Sequence, residues 1–261
     1  MALTATHKIS IVTAVYNGEK TLENLIQSII TQDDTNYEFI LIDGNSSDGT
    51  KELILKYQDY ISYWSSEPDR GIYDAWNKGI TKATGDWIMF LGCDDILLPG
   101  ALKAYHDFIA QSENVSAVDL ISSRLEMMDL DGNVIRVAGW PWAWPKYLRE
   151  VTIAHPGALH SAGFFKKYGL YDIKYKIVGD FELIIRAREK LQALFMNKIT
   201  VRMSEGGASD SVKAILEHYK AATTTGGYSK NKGMINALIV ISKLKIKRIA
   251  RSLGLNLYLK R

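Results

Sequence analysis

Over its first hundred residues the chain alternates short β-branched apolar runs with helical apolar periods, and this rhythm leaves few folds open. The run at 8–15 ends in Asn17-Gly18, a turn pair, and a helical period follows through Leu22, Leu25, Ile26 and Ile29. A second run at 37–42 stops at Asp43-Gly44-Asn45-Ser46-Ser47-Asp48-Gly49-Thr50, and a helix over 51–57 follows. A strand near 61–65, the triplet Asp69-Arg70-Gly71, a helix over 72–80 and a strand over 87–91 complete the series. Such repetition predicts an α/β fold with a doubly wound, mostly parallel sheet and right-handed crossovers. Ligands of such sheets bind outside the C-terminal ends of the strands.

Past Pro99 the rhythm loosens. The pattern predicts a helix over 101–111, a strand over 118–123, a hairpin turn at 129–133, a helix over 180–188, a strand over 193–201 and helices from about Ser211. Trp140-Pro141-Trp142-Ala143-Trp144-Pro145 holds two close prolines and is expected to be irregular. No repeat or low-complexity linker divides the chain. The expectation is one domain over 1–217 and a helical tail over 218–261.

Charge sets the tail apart. The net charge is +3, yet Glu217 is the last acid and ten Lys and Arg follow it, so the preceding residues are net acidic. An acid-free basic tail suits an anionic surface. The acidic body carries no basic recognition motif and would repel phosphates, so no nucleic-acid partner is expected. As one helix the tail places Ile235, Leu238, Ile239, Ile246, Ile249 and Leu253 on one side, with Lys243, Lys247 and Arg251 as a basic stripe elsewhere. That helix either lies on an anionic bilayer or docks on the domain with its basic edge in water. The single cysteine, Cys93, excludes an internal disulfide framework, suits a reducing compartment and reads as a packing residue. No apolar leader opens the chain and no run reaches the ~18 apolar residues of a spanning helix. The expected location is the cytoplasm, with the inner membrane face as a place of attachment.

Two acidic clusters carry the chemistry: Gly92-Cys93-Asp94-Asp95, after the strand at 87–91, and Gly179-Asp180-Phe181-Glu182, at a helix start. One carboxylate to hold a metal and another to accept a proton is the minimum equipment for group transfer from a nucleoside diphosphate. Each has a plainer reading as a helix cap. Tyr16 and Asn17, after the first strand, are candidate nucleoside neighbours, although Asn17 before Gly18 equally suits a turn. Asp69, Arg70 and Asn77 sit where they can face a diphosphate; Arg70 alternatively pairs with Asp69 or Asp74. His155 and Trp142 either line an acceptor cleft or seal the core.

The stretches 10–17, 42–50, 69–79 and 85–95, with Gly179-Asp180, resemble in order the motifs of the family 2 inverting glycosyltransferases of bacterial polysaccharide synthesis. The resemblance spans roughly 8–205. It implies a GT-A fold with a nucleotide-binding half over about 8–98 and an acceptor half over about 99–217. It implies transfer of a sugar from a UDP-sugar to a hydroxyl of a saccharide, often lipid-linked. Asp43 would receive the nucleobase; its other reading is a turn residue. The family's Asp-X-Asp places Gly92 at the first acid, so Asp94 inherits the role of ligand to Mg²⁺ or Mn²⁺, with Asp95 beside it or toward the acceptor. Asp180 corresponds to the general base, with Glu182 as its substitute. The alternative is a sugar-nucleotide or glycan binding protein impaired in catalysis, suggested by Gly92.

Overall fold

In β1 (Ile9–Val15), Ile9, Ile11 and Val15 enter one core while Val12 and Ala14 enter a second on the opposite face. The same alternation holds in β2 (Tyr37–Asp43) and β4 (Trp87–Gly92), where Phe39, Leu41, Met89 and Leu91 oppose Ile40, Ile42, Ile88 and Phe90. Burial on both faces is why these strands read as unbroken apolar runs. Each such side chain contributes about 1.5–3 kcal/mol of transfer free energy.

The computed structural model describes residues 7–129 and 131–252. Between and after these strands come α1 (Leu22–Ile30), α2 (Thr50–Lys56), β3 (Tyr63–Ser66), α3 (Ile72–Lys82), β5 (Ile96–Leu97) and α4 (Ala101–Gln111). Then follow β6 (Leu120–Met128), β7 (Val134–Ala138), β8 (Leu159–Ser161), α5 (Ala162–Tyr168), α6 (Gly179–Ile185), β9 (Ala193–Ser204), α7 (Val212–Thr224) and α8 (Lys230–Ser252). One sheet runs β3-β2-β1-β4-β8-β6-β9-β5, with β7 paired to β6. The β1–β2, β1–β4, β2–β3 and β6–β9 pairs are parallel, and the remaining pairs antiparallel. Side chains of α1 and α4 fill the first core, those of α3, α5 and α6 the second.

Some expected elements have different bounds. The strand expected over 118–123 extends through Met128, because β9 and β7 flank it to that point. The Asp129 carboxylate then holds the expected turn, accepting from Asp131 N–H (3.0 Å) and Asn133 N–H (2.8 Å). The helix opening near Asp180 ends at Ile185 rather than Arg188, where the backbone turns left-handed at φ 49°. Segment 140–145 is irregular, as its prolines require.

The tail boundary at 218 falls inside α7, whose Ala214, Ala221 and Ala222 are buried. α8 packs on α7; Leu253 lies outside the described residues. No helix among the described residues is long and apolar enough to cross a membrane.

Candidate active site

The C-terminal ends of β1, β2 and β3 surround a cavity of about 340 Å³ lined by Tyr16, Gly44, Asn45, Pro68 and Asp69. Tyr16 is 65% exposed and presents its ring to this space. Asp69 accepts from Gly71 N–H at 2.7 Å, which ties the carboxylate to the start of α3. A Cβ on Gly44 would stand 2.5 Å from Asp69 Oδ2 and 3.4 Å from the Tyr16 ring, so only glycine lets the three meet. Lys78 steadies the same wall, donating to Pro68 O at 3.0 Å and pairing with Glu67 at 2.9 Å.

Asp43 does not line the cavity. It is fully buried, and its carboxylate accepts from Ser46 N–H (3.1 Å), Ser46 Oγ (2.5 Å) and Ser66 Oγ (2.6 Å). It joins the β2 loop to the end of β3, which is turn chemistry rather than an open nucleobase acceptor. Asn17 is likewise a loop residue: left-handed at φ 52°, it accepts from Ser47 N–H through Oδ1 at 2.9 Å.

Ala14 pairs with Gly92, so the acidic turn opens from the strand beside that of Tyr16. Asp95 is buried and accepts from Gly92 N–H at 2.7 Å; burial and then the Asp94 charge push its carboxyl up to about 8. Asp94 is exposed, and its Oδ1 lies 2.9 Å from where a Gly92 Cβ would stand. Neither acid caps α4, whose first residue follows Gly100 with no side-chain cap. Among the described residues no three His, Cys, Asp or Glu side chains gather to enclose a metal. One open carboxylate with a buried neighbour instead fits a Mg²⁺ or Mn²⁺ that draws its other ligands from a diphosphate and water. Cys93 packs at the edge of the first core, and burial raises its thiol to about 11, so it is an unreactive thiol.

Asp180 stands beside the hydroxyl of Tyr73. It is the second residue of α6 and half-buried, in the first turn after the N-cap Val178, and its carboxylate also meets the first-turn N–H groups of Asp180 and Phe181. Tyr73 Oη lies 2.9 Å from Asp180 Oδ1 and 2.8 Å from Ile177 O, so one hydroxyl proton serves two acceptors. Burial raises the Asp180 pKa above the usual carboxylate range, and the Tyr73 bond opposes part of that rise. The buried hydroxyls of Tyr73, Tyr147 and Tyr171 all titrate well above their ordinary value, through burial and then the nearby Asp180 charge. They therefore remain protonated. A Cβ on Gly179 would stand 2.8 Å from the Tyr73 ring, which explains the glycine before this acid.

Several expected site residues are committed elsewhere. Asn77 is saturated by one backbone unit, accepting from Tyr171 N–H (3.0 Å) and donating to Tyr171 O (2.9 Å). Arg70 pairs in bidentate fashion with Asp74, each contact 3.2 Å, and does not face the cavity. His155 is buried against the rings of Trp76 and Phe90, its Nε2 3.1 Å from Tyr171 Oη, and burial lowers its pKa to about 3. A neutral core histidine does not line a cleft. Glu182 accepts from Arg186 Nη2 (2.5 Å) and Thr225 Oγ1 (2.9 Å), joining α6 to α7, and is no substitute base. Trp142 is half-buried against Tyr147 and Trp144. Its neighbour Trp144 lines a second cavity of about 380 Å³, with Pro145, Arg188, Tyr228 and Lys232, past the far end of α6 from Asp180.

Tyr73 and Gly44 are the site residues that sequence reasoning missed. Both lie inside the stretches singled out above, but their partners Asp180 and Asp69 are distant in sequence.

The sequence model of glycosyl transferase family 2 matches residues 10–170, more than half of the chain. The chain belongs to glycosyl transferase family 2. It is 26% identical over 258 residues to a PGL/p-HBAD biosynthesis glycosyltransferase of Mycobacterium bovis, covering 94% of this chain and 93% of that one. Its fold is similar to that of S. aureus TarS 1-349 in complex with UDP-GlcNAc (TM-score 0.65, 15% identity, 87% of this chain and 69% of that one). It is equally similar to the mannosyltransferase PcManGT of Pyrobaculum calidifontis in complex with GDP-Man and Mn²⁺ (TM-score 0.65, 13% identity, 93% and 76%). The sheet and its flanking helices are thus a GT-A glycosyltransferase fold with helices at the C-terminus.

Proposed function

We propose that this family 2 enzyme transfers one sugar, with inversion, from a UDP-sugar to a hydroxyl of a lipid-linked saccharide in cell-surface polysaccharide synthesis. The observation that carries the reading is Asp180: a half-buried carboxylate of raised pKa, held by a tyrosine hydroxyl. A carboxylate so placed can take the proton of an acceptor hydroxyl and is positioned for in-line attack. The acceptor oxygen forms a bond to the anomeric carbon, the carbon–oxygen bond to the diphosphate breaks, and the hydroxyl proton passes to Asp180. UDP leaves with the bonding pair.

The nucleobase and ribose enter the cavity at the strand ends against the Tyr16 ring, with Asp69 at its wall and Asp43 holding the loop that shapes it. Asp94 would hold Mg²⁺ or Mn²⁺ against the diphosphate, where the ion offsets charge on the leaving group. Asp95, buried beside it, props the turn by accepting from Gly92 N–H.

The second reading, nucleotide-sugar or glycan binding without turnover, rests on Gly92 where the family's first acid would stand. UDP release measured with and without a saccharide acceptor separates the two. Acceptor-dependent release that is lost in Asp180→Asn supports transfer; nucleotide binding with no release under any acceptor supports the second reading.

A further inference from the structure

α8 docks through a side that mixes apolar residues, Leu244 and Ala250, with the stem of Lys247. Lys247 on that side pairs with Glu205 and lies 3.4 Å from Asp210, and Arg248 donates to Asp210 O at 3.2 Å. Gly233 lies against Tyr219 and Thr223 of α7, and Leu244 is buried on the same side. At 3.6 residues per turn, Met234, Ile235, Leu238, Ile239 and Ile246 therefore share the outward side. They are 49–59% exposed, which for five large apolar residues on one helix face is a patch and not scattered surface.

We propose that this outward face lies flat in the interface of an anionic bilayer and holds the enzyme there as a peripheral membrane protein. Charge argues for that occupant. Lys230 borders one edge of the apolar stripe and Lys232 the other, Lys245 stands between Met234 and Leu238, and all three lysines are exposed. No acid follows Glu217 anywhere in the chain. An apolar stripe between two cationic edges places its side chains at the acyl boundary and its ammonium groups among anionic headgroups. A second copy of the same face would instead bring lysines against lysines. No described helix is apolar and long enough to span, so the helix lies on the surface.

The docking also gives the helix a purpose. α8 packs on α7, and His218 of α7 sits 4.1 Å, ring to ring, from Phe181, the residue after Asp180. A bilayer-bound α8 is thus two helices from the base, which suits an acceptor carried on a lipid. That purpose rests on the function proposed above; the binding does not.

The test is co-sedimentation of the full chain with vesicles of phosphatidylcholine alone and of phosphatidylcholine containing one-third phosphatidylglycerol. Partition onto the anionic vesicles is expected to exceed that onto neutral ones about ten-fold or more, and to fall with added salt. Leu238→Glu with Ile246→Glu abolishes it, and Lys232→Gln with Lys245→Gln weakens it while leaving the apolar face intact. Equal or absent partition onto both vesicles, or anionic binding that survives Leu238→Glu with Ile246→Glu, overturns the proposal. So does a dimer in light scattering that the same double variant dissociates, since the face would then be covered by a second copy. UDP binding measured on the same samples reports the nucleotide site separately, so failure of one reading is distinguishable from failure of the other.

Discussion

The Tyr73 hydroxyl lies 2.9 Å from Asp180 Oδ1, joining α3 to the first turn of α6 across 107 residues of sequence. A donor to an ionised carboxylate stabilises the charged form and lowers its pKa, so this bond restrains the rise that burial causes. Tyr73→Phe keeps the ring that packs on Gly179 and removes only the donor. Asp180 must be ionised to accept a proton, so the acid limb of kcat/KM against pH moves upward in the variant. An unchanged or lowered acid limb contradicts the pairing.

Asp180→Asn preserves the shape of the residue and deletes the base. The expected loss in kcat is about 10²–10⁴-fold, the usual worth of a general base. UDP affinity is expected to change little, because Asp180 does not line the cavity of Tyr16 and Asp69. Single-turnover rates and calorimetric affinities on the same protein check both halves of this expectation.

Gly44→Ala tests that cavity. The new methyl would stand 2.5 Å from Asp69 Oδ2, and relieving the overlap displaces the carboxylate that Gly71 N–H holds. Overpacking of this kind costs about 1–3 kcal/mol, and the cost is expected in nucleotide affinity as a roughly 5- to 150-fold weaker Kd for UDP. Wild-type UDP affinity in this variant would place the nucleotide elsewhere.

Glu38 is the clearest lever on stability. Burial alone would raise its pKa, but bonds from Lys8 Nζ (2.7 Å), Ser10 Oγ (2.5 Å) and Thr84 N–H (2.6 Å) outweigh it and bring the value to about 2. The folded pKa lies below the unfolded value of about 4.3. Its stabilisation is therefore complete above about pH 4.3 and is lost as pH falls toward 2. Glu38→Ala leaves those donors without their acceptor and is expected to cost about 1–3 kcal/mol near neutral pH in urea unfolding. The difference from wild type narrows on acidification.

The strands that build the site were legible because burial on both faces leaves a local mark: residues 9–15 and 87–91 read as strands with no knowledge of their partners. The two-residue β5 and three-residue β8 were not, since their extended form depends on pairing with β9 and with β4 and β6. Among site residues, Asp94 and Asp180 stand out by their place at a strand end and a helix start. Asn77, His155 and Glu182 look equally functional in sequence. What commits them is Tyr171, the Trp76 and Phe90 rings, and Arg186 with Thr225, and most of these contacts are long-range. Tyr73 was hidden for the same reason in reverse, as an apolar-looking helix residue whose hydroxyl meets a carboxylate on another element.

The most direct test of the account is calorimetric binding of UDP, with and without Mn²⁺, to the wild type and to Asp94→Ala. The account predicts UDP binding that Mn²⁺ strengthens in the wild type, and loss of that strengthening in Asp94→Ala while the variant remains folded. Absence of UDP binding in folded wild-type protein, or Mn²⁺-strengthened binding that survives Asp94→Ala, would contradict it.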